Sequence, residues 1–256
     1  MREDTLILPM FEALEPRLLL SGSPIETQLG EFGNSLPNAS EVSVQAEETN
    51  VVSGEVGFRR DSDFLEFTAP VTGGVTIAMS AAEGSNLNSL LMAYNSNKRR
   101  IAFNNNISWR NRDAQVNFFV RAGQTYYVRA RGYGRSTGAY ELSLNFAEDV
   151  HAGSRNNATA LDITPDATTK QTASIDYFRD RDFFTFQAAE TGGLTLRMLA
   201  SGSKVDSLLS VYNVAGRRVA FNNNISWRNR DSQLAMRVQA GQTYYVCAQA
   251  RGRATG

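Results

Sequence analysis

The chain has one histidine, one cysteine and six prolines in 256 residues, and its formal net charge is zero. Each scarcity removes a class of function. His151 is the only histidine and lies between two repeated segments, so neither segment holds the base that a Ser-His-Asp or Cys-His nucleophile requires. A histidine-rich zinc site is excluded on the same ground. Cys247 stands alone, so no intrachain disulfide forms and the fold rests on its core. On a strand such a residue reads as a small apolar filler rather than a reactive thiol. Charge balance argues against a non-specific nucleic-acid or anionic-membrane binder, whose phosphate contacts need a basic excess. No apolar run approaches the roughly 18 residues of a membrane span.

What the chain does have is repetition. The segment Ala102–Asp113, AFNNNISWRNRD, recurs unchanged at Ala220–Asp231. Around it, Asp61-Ser62-Asp63-Phe64 matches Asp180-Arg181-Asp182-Phe183, and Thr72-Gly73-Gly74 matches Thr191-Gly192-Gly193. One residue of slippage precedes Gly84-Ser85 and Gly202-Ser203, and AGQTYYV then repeats at Ala122–Val128 and Ala240–Val246. A period of more than about 100 residues is too long for a solenoid and marks two whole domains.

Short alternating runs joined by turn residues dictate the fold class. Leu65 and Phe67 alternate with Glu66, Val75, Ile77 and Met79 with Thr76 and Ala78, and Val116 and Phe118 with Asn117. Thr72-Gly73-Gly74 and Ala122-Gly123-Gln124 predict tight hairpins between such runs, and Asn95–Lys98 predicts a further turn after Leu91–Tyr94. Helical periodicity is absent over any useful length. The expectation is an all-β chain of two tandem antiparallel β-sandwich, jelly-roll-like domains.

The boundaries follow from the repeat. Residues 1–22 form a leader, 23–36 a linker rich in Gly, Ser, Pro and Glu, and 37–147 the first unit. A second linker spans 148–155 and the second unit 156–256. In the first unit Thr137-Gly138 leads into an alternating strand, Ala139–Phe146. The equivalent Thr255-Gly256 closes the sequence, which predicts that the second unit lacks its last strand and that the chain is a fragment of a longer reading frame.

The leader is a poor secretory signal, because Glu3 and Asp4 follow Arg2 and Glu12, Glu15, Pro16 and Arg17 break its apolar run. Its Leu14-Glu15-Pro16-Arg17, followed by Leu18-Leu19-Leu20, resembles the LEPR-type N-terminal motif of large bacterial proteins. That resemblance implies export or surface attachment.

Each unit also resembles the bacterial pre-peptidase C-terminal domain. The matching residues are Asp61-Ser62-Asp63-Phe64 with Phe67, Gly73-Gly74, Ser89-Leu90-Leu91, Asn104-Asn105, Ala122-Gly123, Tyr126-Tyr127-Val128 and Gly138–Leu142. The resemblance implies a noncatalytic β-sandwich module that accompanies secreted peptidases and surface proteins, some of which bind matrix polymers or calcium.

Two groups of residues are candidates for a site. Asp61 with Asp63, and Asp180 with Asp182, stand two apart at a strand start, so each pair projects to one side. With Asp206 they could chelate calcium, a hard ion that takes six to eight oxygens. The structural alternative is turn shaping, in which Asp and Asn bond nearby backbone amides. Neutral Asn104–Asn106, where the family often carries acidic residues, lowers the charge of any such site. A glycosidase pair is disfavoured, since two strand-start aspartates offer no cleft.

The second group is the repeated loop. Trp109 with Arg110 and Arg112, and Trp227 with Arg228 and Arg230, could stack on a sugar ring or anchor in a protein. The structural alternative, and the commoner outcome, folds the tryptophan over the sandwich rim with an arginine stacked on it. The loop is held unchanged while its neighbour drifts, Asn117-Phe118-Phe119 facing Ala235-Met236-Arg237. Outward tyrosines of Tyr126-Tyr127 and Tyr244-Tyr245 are a weaker candidate face.

The reading is therefore a noncatalytic binding or adhesion module pair, extracellular or on the cell surface, with a polysaccharide or a matrix or surface protein as partner. Accessory domains of a secreted peptidase or other hydrolase, with the catalytic part outside this chain, are one alternative. A spacer without ligand is the other.

Overall fold

The computed structural model describes residues 32–151, 153–200 and 203–256. The LEPR-type motif, and with it most of the expected leader and linker, lies outside the described residues.

The first unit is built from β1 (Ser40–Glu41), β2 (Asn50–Val56), β3 (Asp63–Thr68), β4 (Gly73–Ala81), β5 (Ser89–Tyr94), β6 (Arg100–Asn104), β7 (Ala114–Val120), β8 (Thr125–Gly132) and β9 (Gly138–Glu148). They form a five-stranded sheet in the order β1-β3-β8-β5-β6 and a four-stranded sheet in the order β2-β9-β4-β7. Val75, Ile77 and Met79 from one sheet and Leu65, Phe67, Leu91 and Val128 from the other meet in a single core. The period-2 alternation seen in the sequence is this inward set. All pairings are antiparallel except that of β1 with β3, a two-residue parallel edge. The fold class is thus an all-β sandwich, as expected.

Only one of the expected hairpins pairs its flanking strands. β5 and β6 are antiparallel neighbours across Asn95–Lys98, where Lys98 takes φ 58°. The Thr72-Gly73-Gly74 and Ala122-Gly123-Gln124 links instead carry the chain between sheets, because β3 and β8 lie in one sheet and β4 and β7 in the other. Gly73 is required by close approach rather than by a hairpin. A Cβ there would stand 2.0 Å from the Ala147 carbonyl oxygen of β9.

The last strand is central. β9 lies between β2 and β4, with Leu142 opposite both Val52 and Met79, and Leu144 opposite Asn50 and Ile77. Tyr140, Leu142 and Leu144 are all fully buried.

The second unit repeats part of this plan with β10 (Thr159–Ala160), β11 (Arg181–Gln187), β12 (Gly192–Met198), β13 (Ser207–Asn213), β14 (Arg218–Asn222), β15 (Ser232–Val238) and β16 (Thr243–Ala250). The five-stranded sheet is complete, in the order β10-β11-β16-β13-β14, but the opposite sheet is only the pair β12-β15. Counterparts of β2 and β9 are absent among the described residues. Leu194, Leu196 and Met198 stand where the first unit has Val75, Ile77 and Met79, and are only partly buried.

The junction is packed. Asn117 of β7 donates to the Asp176 carbonyl at 3.3 Å and accepts from the Phe178 amide at 2.9 Å, and Phe119 meets Tyr177 at 4.8 Å. His151 is buried, with Nδ1 3.1 Å from Thr159 Oγ1 and Nε2 3.0 Å from the Thr172 carbonyl. Phe32 packs on the first core, and Gly33 bridges to Phe64 and donates to Ser40, so these residues join the sandwich.

Candidate functional site

The repeated segment takes the same backbone course in both units, with the same tip and turn bonds. Its first half is the edge strand, β6 or β14. Its second half is a loop whose tip is closed by reciprocal backbone bonds between Ser108 and Asn111, both 3.2 Å, matched by Ser226 and Asn229 at 3.2 and 3.1 Å. Ser108 Oγ accepts from the Arg110 and Asn111 amides, and Asn111 Oδ1 accepts from the Asp113 amide at 2.9 Å. Asp113 in turn accepts from the Ala81 amide at 3.1 Å, as Asp231 does from Ala200 at 2.9 Å. The carbonyls of Arg112 and Arg230 accept from Ser89 and Ser207, each at 3.0 Å. Serine, asparagine and aspartate are therefore held by turn chemistry.

That chemistry does not explain the tryptophans. Trp109 and Trp227 sit at the tips and are each 84% exposed. The expectation that they fold over the rim is corrected here. Both indoles stand in solvent at a tip closed by its own backbone bonds instead of packing on the sandwich. The arginine half of that expectation holds. Arg110 stacks on Trp109 at 4.2 Å, and Arg228 on Trp227 at 4.3 Å. Such a pair leaves the other face of the indole open.

The exposed set is wider than the loop. Ile101, Phe103 and Ile107 are 41, 48 and 48% exposed, and their counterparts Val219, Phe221 and Ile225 are 43, 47 and 45%. Arg100 lies over Phe103 at 5.5 Å and Arg218 over Phe221 at 4.7 Å. Each unit thus carries one strip of apolar and aromatic side chains interleaved with arginines, running along its edge strand to the tip. Sequence reading missed the strand half of this strip. Its signal, apolar residues on the outward phase of an edge strand, looks like core patterning until the inward phase is assigned to Ala102 and Ala220. In the first unit the strip opens on a groove of about 670 Å³ shared with Phe178 and Arg253 of the second.

The acidic candidates are not brought together as one kind of site. Asp61 accepts from the Gly57 and Ser62 amides at 2.8 and 2.9 Å, which is turn shaping. Asp63 accepts a 2.6 Å bond from the Tyr140 hydroxyl of β9. Burial pushes the Asp63 carboxyl up to about 6, against the opposing pull of the Tyr140 bond and with Asp61 adding to the rise. Asp206 accepts from Asn224 at 3.2 Å.

In the second unit Asp180 likewise caps the Asp176 and Arg181 amides, both at 2.7 Å. Asp182 differs from its counterpart Asp63. It is 1% exposed and neither carboxylate oxygen has a hydrogen-bond partner. With Asp180 and Asp149 it forms a cluster whose oxygens lie within 4.8 Å of one another, a spacing a hard cation could share. Burial, and then the charges of Asp180, Asp149 and Asp176, push the Asp182 carboxyl up to about 8. Asp149, unassigned from sequence because it lies in the linker, also accepts from the Tyr177 hydroxyl at 3.4 Å.

Cys247 is buried in β16, and desolvation pushes its thiol up to about 12, which suits the filler role. Tyr126 and Tyr244 face the core, while Tyr127 and Tyr245 are half-buried under Lys98 and Arg155.

Fold and site together define a tandem of two all-β sandwich units with a duplicated surface strip. No family model and no curated protein matches the chain. Among solved structures, the pre-peptidase C-terminal domain of a collagenase from Bacillus anthracis is similar at 16% identity and a TM-score of 0.33, over 41% of this chain and 93% of that one. The N-terminal CBM22 tandem domain of Paenibacillus barcinonensis Xyn10C is similar at 11% identity and a TM-score of 0.23, over 82% of this chain and 81% of that one. Tripeptidyl peptidase 2 is similar at 11% identity and a TM-score of 0.29, and this chain covers 24% of its length. Likenesses of that size carry no property of those proteins to this chain.

Proposed function

We propose that the chain is a noncatalytic pair of binding modules that holds an extended polysaccharide at a cell surface or outside the cell. The observation that carries this reading is the duplicated strip. A tryptophan 84% exposed at both tips, each with an arginine on one face, is an arrangement that folding does not need. Contiguous exposed apolar surface of this kind marks an interaction site. An open indole face stacks on the apolar face of a sugar ring. Arg110 and Arg112, or Arg228 and Arg230, supply donors for its hydroxyls and carry no acid–base function. Two matching strips on one chain raise avidity for a polymer that spans both.

The test is retention of the purified chain on insoluble cell-wall polysaccharide, against the double variant Trp109→Ala, Trp227→Ala. Loss of about tenfold or more in apparent affinity supports the reading, in line with the share of binding energy that hot-spot tryptophans carry. Equal retention, or none by either protein, favours a spacer. Capture by a matrix protein instead would move the partner to a polypeptide.

A further inference from the structure

The chain is neutral as a whole, yet its two strips are not. From Arg99 to Asp113 the first holds four arginines, Arg99, Arg100, Arg110 and Arg112, against the single acid Asp113. From Arg217 to Asp231 the second holds Arg217, Arg218, Arg228 and Arg230 against Asp231. Each segment therefore has a formal excess of three positive charges. All eight arginines are exposed, whereas both aspartates are engaged by the Ala81 and Ala200 amides. The arginine pair at the start of each strip is kept although the turn before it is not, Ser96-Asn97-Lys98 facing Val214-Ala215-Gly216. The surface beside the strips has the same sign. The groove of about 670 Å³ beside the first is lined by Arg100 and Arg253 with Asn104, Gln115 and Asn117, and by no carboxylate. Beside Val219 of the second, a cleft of about 630 Å³ is lined by Arg237 with Asn213, Gln239 and Gln242, again with no carboxylate. Arg237 stands where the first unit has Phe119.

Resting on the reading that the strips hold a polysaccharide, we propose that their ligand is a polyuronate, a polymer of sugars that each bear a carboxylate. The open indole face of Trp109 or Trp227 takes the apolar face of one ring. A uronate carboxylate sits at the ring edge, so it leaves that face bare for stacking. Its two coplanar oxygens match the fork of a guanidinium, which a neutral sugar does not. Arg110 and Arg228 are held against the indoles. Arg112 and Arg230, in the same tips, therefore take the carboxylate of the stacked ring, and the arginines along the edge strand take those of the rings that follow. The amide side chains of the two clefts serve the hydroxyls. A single-stranded nucleic acid also offers charge and flat rings, but it is held on a succession of stacking platforms, and each unit has one indole.

Isothermal titration of the whole chain, with chelator present, compares polygalacturonate and alginate with the same two polymers methyl-esterified to neutrality. At least one acid form is expected to bind about tenfold more tightly than its ester. That affinity should fall about tenfold between roughly 0.05 and 0.5 M sodium chloride, as exposed charges are screened, while binding of the ester stays level. The double variant Arg112→Gln, Arg230→Gln is expected to lose about tenfold on the acid form and nothing on the ester. It leaves the tips intact, since the backbone carbonyls of these residues, not their side chains, hold Ser89 and Ser207. Lysine at both positions should restore part of the loss, because an ammonium keeps the charge but not the fork. Equal affinity for acid and ester, lost with Trp109→Ala and Trp227→Ala, overturns the proposal and leaves the polysaccharide reading standing. So does failure of both acid forms to bind a chain that cell-wall polysaccharide retains. A chain retained by neither loses the polysaccharide reading as well. Tighter binding to dextran sulfate or to polyuridylate than to either polyuronate also overturns the proposal, and makes the ligand a sulfated polymer or a nucleic acid instead.

Discussion

Replacing Asp182 by asparagine removes the most costly charge in the second unit without changing its shape. The carboxyl is 1% exposed, has no donor, and faces Asp180 and Asp149 within 4.8 Å. Its pKa is raised from 3.8 to about 8. At 1.36 kcal/mol per unit the whole rise corresponds to ~6 kcal/mol at high pH. Protonation of the neighbouring acids and local relaxation relieve part of this, leaving about 2–4 kcal/mol. The sign follows from proton binding. Between pH 3.8 and 8 the folded chain keeps a proton that the unfolded chain has released, so stability is full below 3.8 and falls as pH rises towards 8. Asp182→Asn should therefore be more stable than the parent at pH 8, by about 2–4 kcal/mol, and little different at pH 4. Urea denaturation followed by circular dichroism, at a series of pH values with chelator, measures this directly. A variant less stable at pH 8, or a parent whose stability rises from pH 4 to 8 through this unit, would refute the argument.

Two further outcomes follow from the internal comparison. Tyr140→Phe keeps the ring but leaves Asp63 without its donor, and should cost the first unit about 1–3 kcal/mol in the same denaturation assay, with no effect on the second. Ile77→Ala should cost about 2–5 kcal/mol, because the side chain is fully enclosed, while Leu196→Ala, already half-exposed, should cost about 1 kcal/mol. Amide exchange resolves the two units, and equal losses would mean that the second sheet is not open.

Much of this was readable from residue order. Alternation placed most strands, but that no counterpart of β2 forms among the described residues of the second unit was not readable, because β2 pairs only with β9. The pairing of strands was not readable, because Gly73 and Gly123 look the same in a hairpin and in a crossing between sheets. Only tertiary packing puts β3 and β4 on opposite faces of the core. The fate of the acidic pairs was not readable either. Asp63 and Asp182 share the same sequence context, and what separates them is a hydroxyl 77 residues away in one unit and absent among the described residues in the other. The tip was half legible. Ser108, Asn111 and Asp113 announce a turn, but whether Trp109 lies down or stands out depends on how that turn is aimed.

Intrinsic fluorescence tests the central claim most directly, because the chain has two tryptophans and both are the tips of the strips. Free chain should emit as solvent-exposed indole. Titration with a polysaccharide that retains the chain should shift emission to the blue and saturate with the binding curve. Trp109→Ala or Trp227→Ala alone should halve the signal and cut avidity by more than half. Binding that leaves the emission of both tryptophans unchanged would place the ligand elsewhere and contradict the account.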